Sequence, residues 1–310
     1  IPGYTEEEKL ESAIRYLVPR QMKDNGLKAK HIVFEEEALK EIIAKYTREA
    51  GLRNLEREIG NVCRKVARKI AEGHKRQIRV TPAAVATFLG AAKFLRDDEM
   101  DKNEVGVVNG LAWTSVGGEV LHIEATTMAG KGGMALTGQL GDVMKESVQA
   151  ALAYIRSHGS EFHINPDWFQ ENEIHVHVPA GAVPKDGPSA GCAMATALIS
   201  VLTKVPVKKD VAMTGEISLR GKVLPIGGLK EKILAAVRAG MKMVIIPEQN
   251  RKDLEDIPKA MQKKVKIVPV KEIDEVLKLA LEKFPIPAPK GKAKPATPKV
   301  VVRPSKEISA

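Results

Sequence analysis

Apolar positions fall into two regimes along the chain. Up to about residue 90 they recur every three or four residues, the spacing of one face of an α-helix. Thr5-Glu6-Glu7-Glu8 is a capping box, with Thr5 as N-cap and Glu8 three residues on, and predicts a helix running toward Pro19. A second helix is predicted over 35–47. A third covers 52–72, where Leu52, Leu55, Ile59, Val62, Val66 and Ile70 share one face and Gly73 ends it. Thr81-Pro82 starts a last short helix, with Thr as N-cap and Pro at N1. HIVF (31–34) and QIRV (77–80) are short apolar pieces suited to pairing as small strands.

Residues 90–106 are charged and irregular and read as a linker. Strand patterns then dominate. VVNGLAWTS and VLHIEATTMA are predicted strands, joined by a hairpin turn at Gly117-Gly118. A helix over 142–157, the strand EIHVHV (173–178) and the loop GAVPKDGPSAG (181–191) follow. The helix after that loop is apolar almost all round, which predicts burial. VAMTG (211–215), a helix over 229–239 ended by Gly240, the strand MVIIP and one more strand–helix pair complete a mixed α/β unit near Phe284. From 285 on, six prolines and six Lys/Arg leave too little to bury, and a disordered tail is expected. The predicted layout is a helical domain (1–100), an α/β domain with a mixed sheet (101–284) and a tail (285–310).

Composition adds modest limits. Hydrophobic content of 44% and charged content of 28% suit a globular protein, and 4% aromatics leave few rings to stack on nucleic acid. The net charge of +10 lies partly in the tail and partly on helices, where a solvated surface is the plain reading. DNA contact through Arg64, Lys65, Arg68, Lys69, Lys75 and Arg76 is the sharper alternative. Cys63 and Cys192 show no disulfide framework or metal spacing, so a cytoplasmic location is expected. No run is apolar and long enough to span a membrane. The start at Ile1, without methionine, basic n-region or apolar h-region, suggests a piece of a longer chain rather than a secretory precursor.

Two motifs tempt and fail. Gly130-Lys131-Gly132-Gly133 lacks the Ser/Thr and the earlier glycine of a phosphate loop, and reads as a glycine-rich surface loop. His175 and His177 alternate on one strand and share a face. They could ligate a metal, but no third ligand has suitable spacing, and the plain reading is a pair lining a cleft or interface.

Ser189 is different, because it stands where the predicted buried helix meets its loop. It either caps the helix or does chemistry. A serine hydroxyl is a weak nucleophile without a neighbouring base. No Asp-His pairing is visible to complete a histidine triad, although the fold could still assemble one from distant residues. Lysine can serve if burial lowers its pKa. On helix 229–239, Glu231 and Arg238 share a polar face, while Lys232 falls on the apolar side between Ala236 and Ala239. Snorkelling to water is the plain fate of such a lysine. A serine at a buried helix mouth, with the positive end of the helix dipole beside it, favours the catalytic one.

PKDGPSAG (184–191), TGEISLRGKVLPIGGLKEKILAA (214–236) and TREAGLRNLEREI (47–59) together resemble the Lon family of ATP-dependent serine proteases. The resemblance extends over the chain up to the tail, and the two protease motifs are long and specific. It implies a Lon-type α/β protease domain preceded by a small, mostly helical AAA+ lid subdomain. It implies a dyad of Ser189 as nucleophile and Lys232 as general base, 43 residues apart. Thr214 would hold the lysine rotamer. Asp186 would help set whether the serine loop is open or occluding, and its carboxylate could switch Lys232 by raising its pKa. Arg53 matches the sensor-2 arginine that contacts nucleotide phosphate. ATP and Mg2+ would bind in the full-length protein, while peptide-bond chemistry in this chain would need no cofactor. Unfolded proteins are the implied substrates and a homo-hexamer the implied assembly. The main rival is a Lon-like binding module of DNA-repair ATPases. That module lacks the dyad, whereas this chain has both motifs complete.

Overall fold

A computed structural model describes residues 4–49, 51–94, 102–114, 117–179 and 184–284. The predicted tail and the central part of the linker, 95–101, lie outside these residues.

The helical body opens with α1 (Glu6–Ser12), whose capping box forms as predicted: Glu8 N donates to Thr5 Oγ1 and Thr5 N to the Glu8 carboxylate. The helix does not stop at Pro19. A π-helical turn (Ala13–Leu17) leads into α2 (Val18–Asp24), with Pro19 in its first turn. The wider turn resets the hydrogen-bond register, so proline's missing N–H falls at the start of a new α segment, where it is tolerated. β1 (Ile32–Phe34), α3 (Glu36–Tyr46), α4 (Arg53–Ala71), β2 (Ile78–Val80) and α5 (Pro82–Leu89) follow, and β1 pairs with β2 in parallel. Ile42, Leu55, Ile59, Val66 and Val85 are fully buried together, so α5 shares its core with α3 and α4.

The second body contains β3 (Val107–Thr114), β4 (Gly117–Ala129), β5 (Met134–Thr137), α6 (Asp142–Ser157), α7 (Trp168–Glu171), β6 (Asn172–His177), α8 (Gly191–Thr203), β7 (Val211–Met213), β8 (Glu216–Ile217), β9 (Val223–Leu224), α9 (Leu229–Arg238), β10 (Met243–Pro247), α10 (Lys259–Gln262), β11 (Lys266–Val270) and α11 (Ile273–Ala280). Seven strands form one mixed sheet in the order β11-β10-β7-β3-β4-β6-β5. Side chains alternate across it. Ile123 and Ala125 of β4 join the core containing α6 and α8, whereas Val120 joins the separate core containing α9. Helices α6 and α8 thus cover one face of the sheet and α9 the other.

Gly117-Gly118 is not the hairpin turn. Both residues pair within β4, Gly117 opposite Thr114 and Gly118 opposite Trp113, and the connection falls at 115–116, outside the described residues. Gly118 is required by packing instead. A Cβ there would lie 1.9 Å from the backbone oxygen of Glu231 on α9, so only glycine lets that helix approach the sheet.

Candidate active site

Ser189 does not cap the buried helix. It lies in a 3-10 turn (Pro188–Ala190), and the N-cap of α8 is Ala190, with no side-chain hydrogen bond. The predicted burial of α8 holds, since Gly191 through Val201 are all buried. The serine's backbone is fixed on the segment that leaves β7. Its carbonyl accepts from Gly215 N at 2.9 Å and from Thr214 Oγ1 at 3.2 Å, and Cys192 N donates back to Gly215 O at 2.9 Å. Its side chain is half-buried and lines a cleft of about 830 Å³.

Lys232 lines the same cleft from α9. It is only 2% exposed, and its Nζ donates to Thr214 Oγ1 at 3.1 Å. Removal from water lowers its pKa to about 8, because burial penalises the charged form. Fully buried Ala236 lies one turn along the helix, as the projection anticipates. Thr214 thus bridges the two residues, accepting from the ammonium group and donating to the serine carbonyl. Helices from opposite faces of the sheet meet here because β7 stops at Met213, leaving the carboxyl end of a parallel strand open between them. That is the common position of a site in α/β sheets.

Asp186 is not directed at Lys232 in this structure. Its Oδ1 accepts from Met144 N at 2.9 Å, in the first turn of α6, and from Gly187 N at 2.9 Å. A carboxylate at a helix N-terminus satisfies a free donor and complements the dipole. The lowering of the Lys232 pKa has burial as its cause, with no contribution from Asp186. The carboxylate thus stands turned away from the lysine in this arrangement, although Asp186 still lines the cleft. Sequence reasoning missed its neighbour. Lys185 is 7% exposed and donates to Gly138 O at 3.1 Å and Val178 O at 3.4 Å, while its backbone bonds with Gln139 O and Gly141 N. Lys185 and Asp186 together strap the serine loop to the segment entering α6. A lysine between proline and aspartate carries no periodic signal that would have revealed this.

The other candidates lie elsewhere. Arg53 is exposed in the first turn of α4, where the Glu49 carboxylate accepts from Asn54 N at 2.9 Å and Leu55 N at 2.8 Å. An exposed guanidinium on a capped helix start can reach an anion such as a nucleotide phosphate. His175 and His177 both contact Thr137 Oγ1, at 2.9 and 2.7 Å, and no cluster of three metal-ligating side chains occurs among the described residues. The six basic residues of α4 and its following loop are exposed, but Lys65 bonds to Phe88 O, Arg68 pairs with Glu72 and Lys69 stands over the Phe88 ring. In the loop Gly130–Gly133, a Cβ at Gly132 would lie 2.9 Å from the backbone oxygen of Phe169, so close packing calls for glycine at that position. Cys63 and Cys192 are free and buried. No helix among the described residues is long and apolar enough to cross a membrane.

Comparison with known proteins gives two family matches. Residues 79–283 match the Lon protease (S16) C-terminal proteolytic domain, and residues 23–78 match the Lon protease AAA+ ATPase lid domain. The chain is 70% identical over 296 residues to a Lon protease of Geobacter metallireducens, covering 96% of this chain and 36% of that protein. It is 55% identical over 298 residues to a Lon protease of Lawsonia intracellularis, covering 96% and 36%, and 53% identical over 320 residues to one of Xanthomonas oryzae, covering 98% and 38%. The chain therefore spans little more than a third of the length of these relatives.

Proposed function

This chain belongs to the Lon protease family, and from that premise we propose that it hydrolyses peptide bonds with Ser189 as nucleophile and Lys232 as general base. One observation carries the assignment: a lysine buried to 2% exposure, joined through Thr214 to the backbone of Ser189, lines one cleft with that serine. With a pKa of about 8, roughly a tenth of Lys232 is neutral at pH 7, which provides a working base near physiological pH.

Neutral Lys232 takes the proton from Ser189 Oγ as that oxygen attacks the substrate carbonyl carbon. The resulting ammonium gives the proton to the departing amine, the C–N bond breaks, and an acyl-serine ester remains. Lys232 then deprotonates the water that hydrolyses the ester. The dipole of α8 favours the developing oxyanion. Thr214 keeps the lysine rotamer aimed along the cleft.

Substrate would be an unfolded protein segment in extended form. Pairing of β3 with β7 ends at Gly110 opposite Met213, while Leu111, Ala112 and Trp113 continue along the cleft. This stretch can accept an added strand, with backbone bonds supplying affinity. Within β4, residues 117–124 pair with β3 and residues 124–129 with β6, so the open edge beside the cleft is that of β3 beyond Gly110.

In the longer protein, ATP with Mg2+ would bind beside Arg53, a reading supported by the match to an AAA+ ATPase lid and by that arginine's exposure. Nucleotide would supply the free energy for moving substrate, while peptide hydrolysis rests on the dyad. A homo-hexamer and a cytoplasmic location follow from the family resemblance, and light scattering of the full-length protein tests the first. Hydrolysis of casein by the parent, Ser189→Ala and Lys232→Ala tests the mechanism. Both variants should be inactive, and equal rates in all three would end it.

A further inference from the structure

We propose that Arg238 is a positioning residue through which the helical body holds Lys232 in place, an inference that rests on Lys232 being the base. α9 carries both residues, Lys232 in its first turns and Arg238 in its last. The Arg238 guanidinium reaches two ways. Nη2 donates to Gly118 O of β4 at 2.7 Å, and Nε lies 3.6 Å from the Glu6 carboxylate of α1 in the helical body.

Gly118 is the point where β4 presses on the base helix. A Cβ at Gly118 would meet the Glu231 oxygen at 1.9 Å and Lys232 N at 3.0 Å. Arg238 therefore ties the end of α9 to the same backbone unit that supports the peptide group before Lys232. The helical body also grips the next residue of β4, through Arg48 and Glu119, and pairs Glu7 with Lys264 at 3.0 Å. Lys9 completes the junction. It is 7% exposed, donates to Glu49 O, and burial lowers its pKa beside Glu6 and Arg238. A single exposed ion pair contributes little. Here Arg48 reaches Glu119 of β4 while Glu6 reaches Arg238 of α9, which itself holds the adjacent Gly118, so a change in the position of the helical body is passed to β4 and α9 together.

Asp186 and Glu231 share the cleft with Lys232, and Glu6, Lys9, Arg48 and Glu119 lie at the junction around Arg238 and β4. None of them contributes to its lowered pKa, which follows burial alone. Loosening α9 admits water, returns the lysine toward its ordinary value and moves the alkaline rise of kcat to higher pH.

The test uses the whole chain with a fluorogenic peptide, comparing Arg238→Gln, Glu6→Gln and the double variant. Each single variant should raise the pH midpoint of kcat by about half a unit, equivalent to about threefold in rate below the midpoint, with little change in KM. The double variant should go no further than Arg238→Gln, because both act through one contact. Unchanged midpoints, or fully additive effects, would overturn the inference. Glu6→Gln leaves α9 itself intact, so it decides the matter even if Arg238→Gln folds poorly. Lys232→Met, run alongside, separates the two ideas: activity in that variant would sink the dyad, whereas its inactivity with unmoved midpoints would sink only the role of Arg238.

Discussion

Replacing Lys232 by methionine should abolish peptidase activity and yet stabilise the fold at neutral pH. Burial lowers the lysine pKa from 10.5 to about 8. Each unit is equivalent to about 1.4 kcal/mol, so holding the ammonium in this site costs the folded state about 3 kcal/mol below pH 8. Methionine has similar length and no charge. It forfeits the hydrogen bond to Thr214, about 1 kcal/mol, leaving a net gain of about 2 kcal/mol. The sign follows from proton counting. Between pH 8 and 10.5 the unfolded chain binds this proton more tightly than the folded one, so the parent gains stability as pH rises through that window. The methionine variant has no such term, and its advantage should fade and then reverse by about pH 10.5. Urea unfolding at pH 7, 8.5 and 10, followed by tryptophan fluorescence, measures this directly, because both tryptophans, Trp113 and Trp168, lie in the body that holds the site. A variant less stable than the parent at pH 7, or a difference that stays flat with pH, would show that the lysine is not held against a desolvation penalty.

Ser189→Ala should lose activity while shifting stability by less than about 0.5 kcal/mol, since the hydroxyl caps nothing and the backbone bonds remain; urea midpoints and casein assays check both halves. Gly118→Ala should cost at least about 2 kcal/mol and most of the activity, because the added carbon strikes the Glu231 backbone; a soluble, fully active variant would disprove that contact. Asp186→Ala should weaken the start of α6 by about 1 kcal/mol and leave the pH midpoint of kcat in place, whereas a downward shift of that midpoint would restore the carboxylate's electrostatic role. Thr214→Val should keep the fold and cut kcat at least about tenfold at constant KM, read from peptide kinetics, as the lysine loses the bond that orients it.

The sequence by itself determined most element types and singled out the two central residues. Three- and four-residue periodicity marks α3, α4 and α9, and an uninterrupted apolar run marks α8, because each helix must bury whatever face its sequence makes apolar. The same projection places Lys232 on an apolar side among alanines. Tertiary structure decided what local pattern cannot encode. The π turn that leads into α2 ahead of Pro19 has no marker in the local pattern, and packing makes Gly118 a contact point for α9 rather than a turn. Asp186 could face either the lysine or a helix end from sequence alone, and the fold gives it the backbone donor of Met144. The meeting of Ser189 and Lys232 is itself a tertiary event. Their helices lie on opposite faces of the sheet and converge only because β7 ends at Met213, where the exiting chain supplies Thr214 between them.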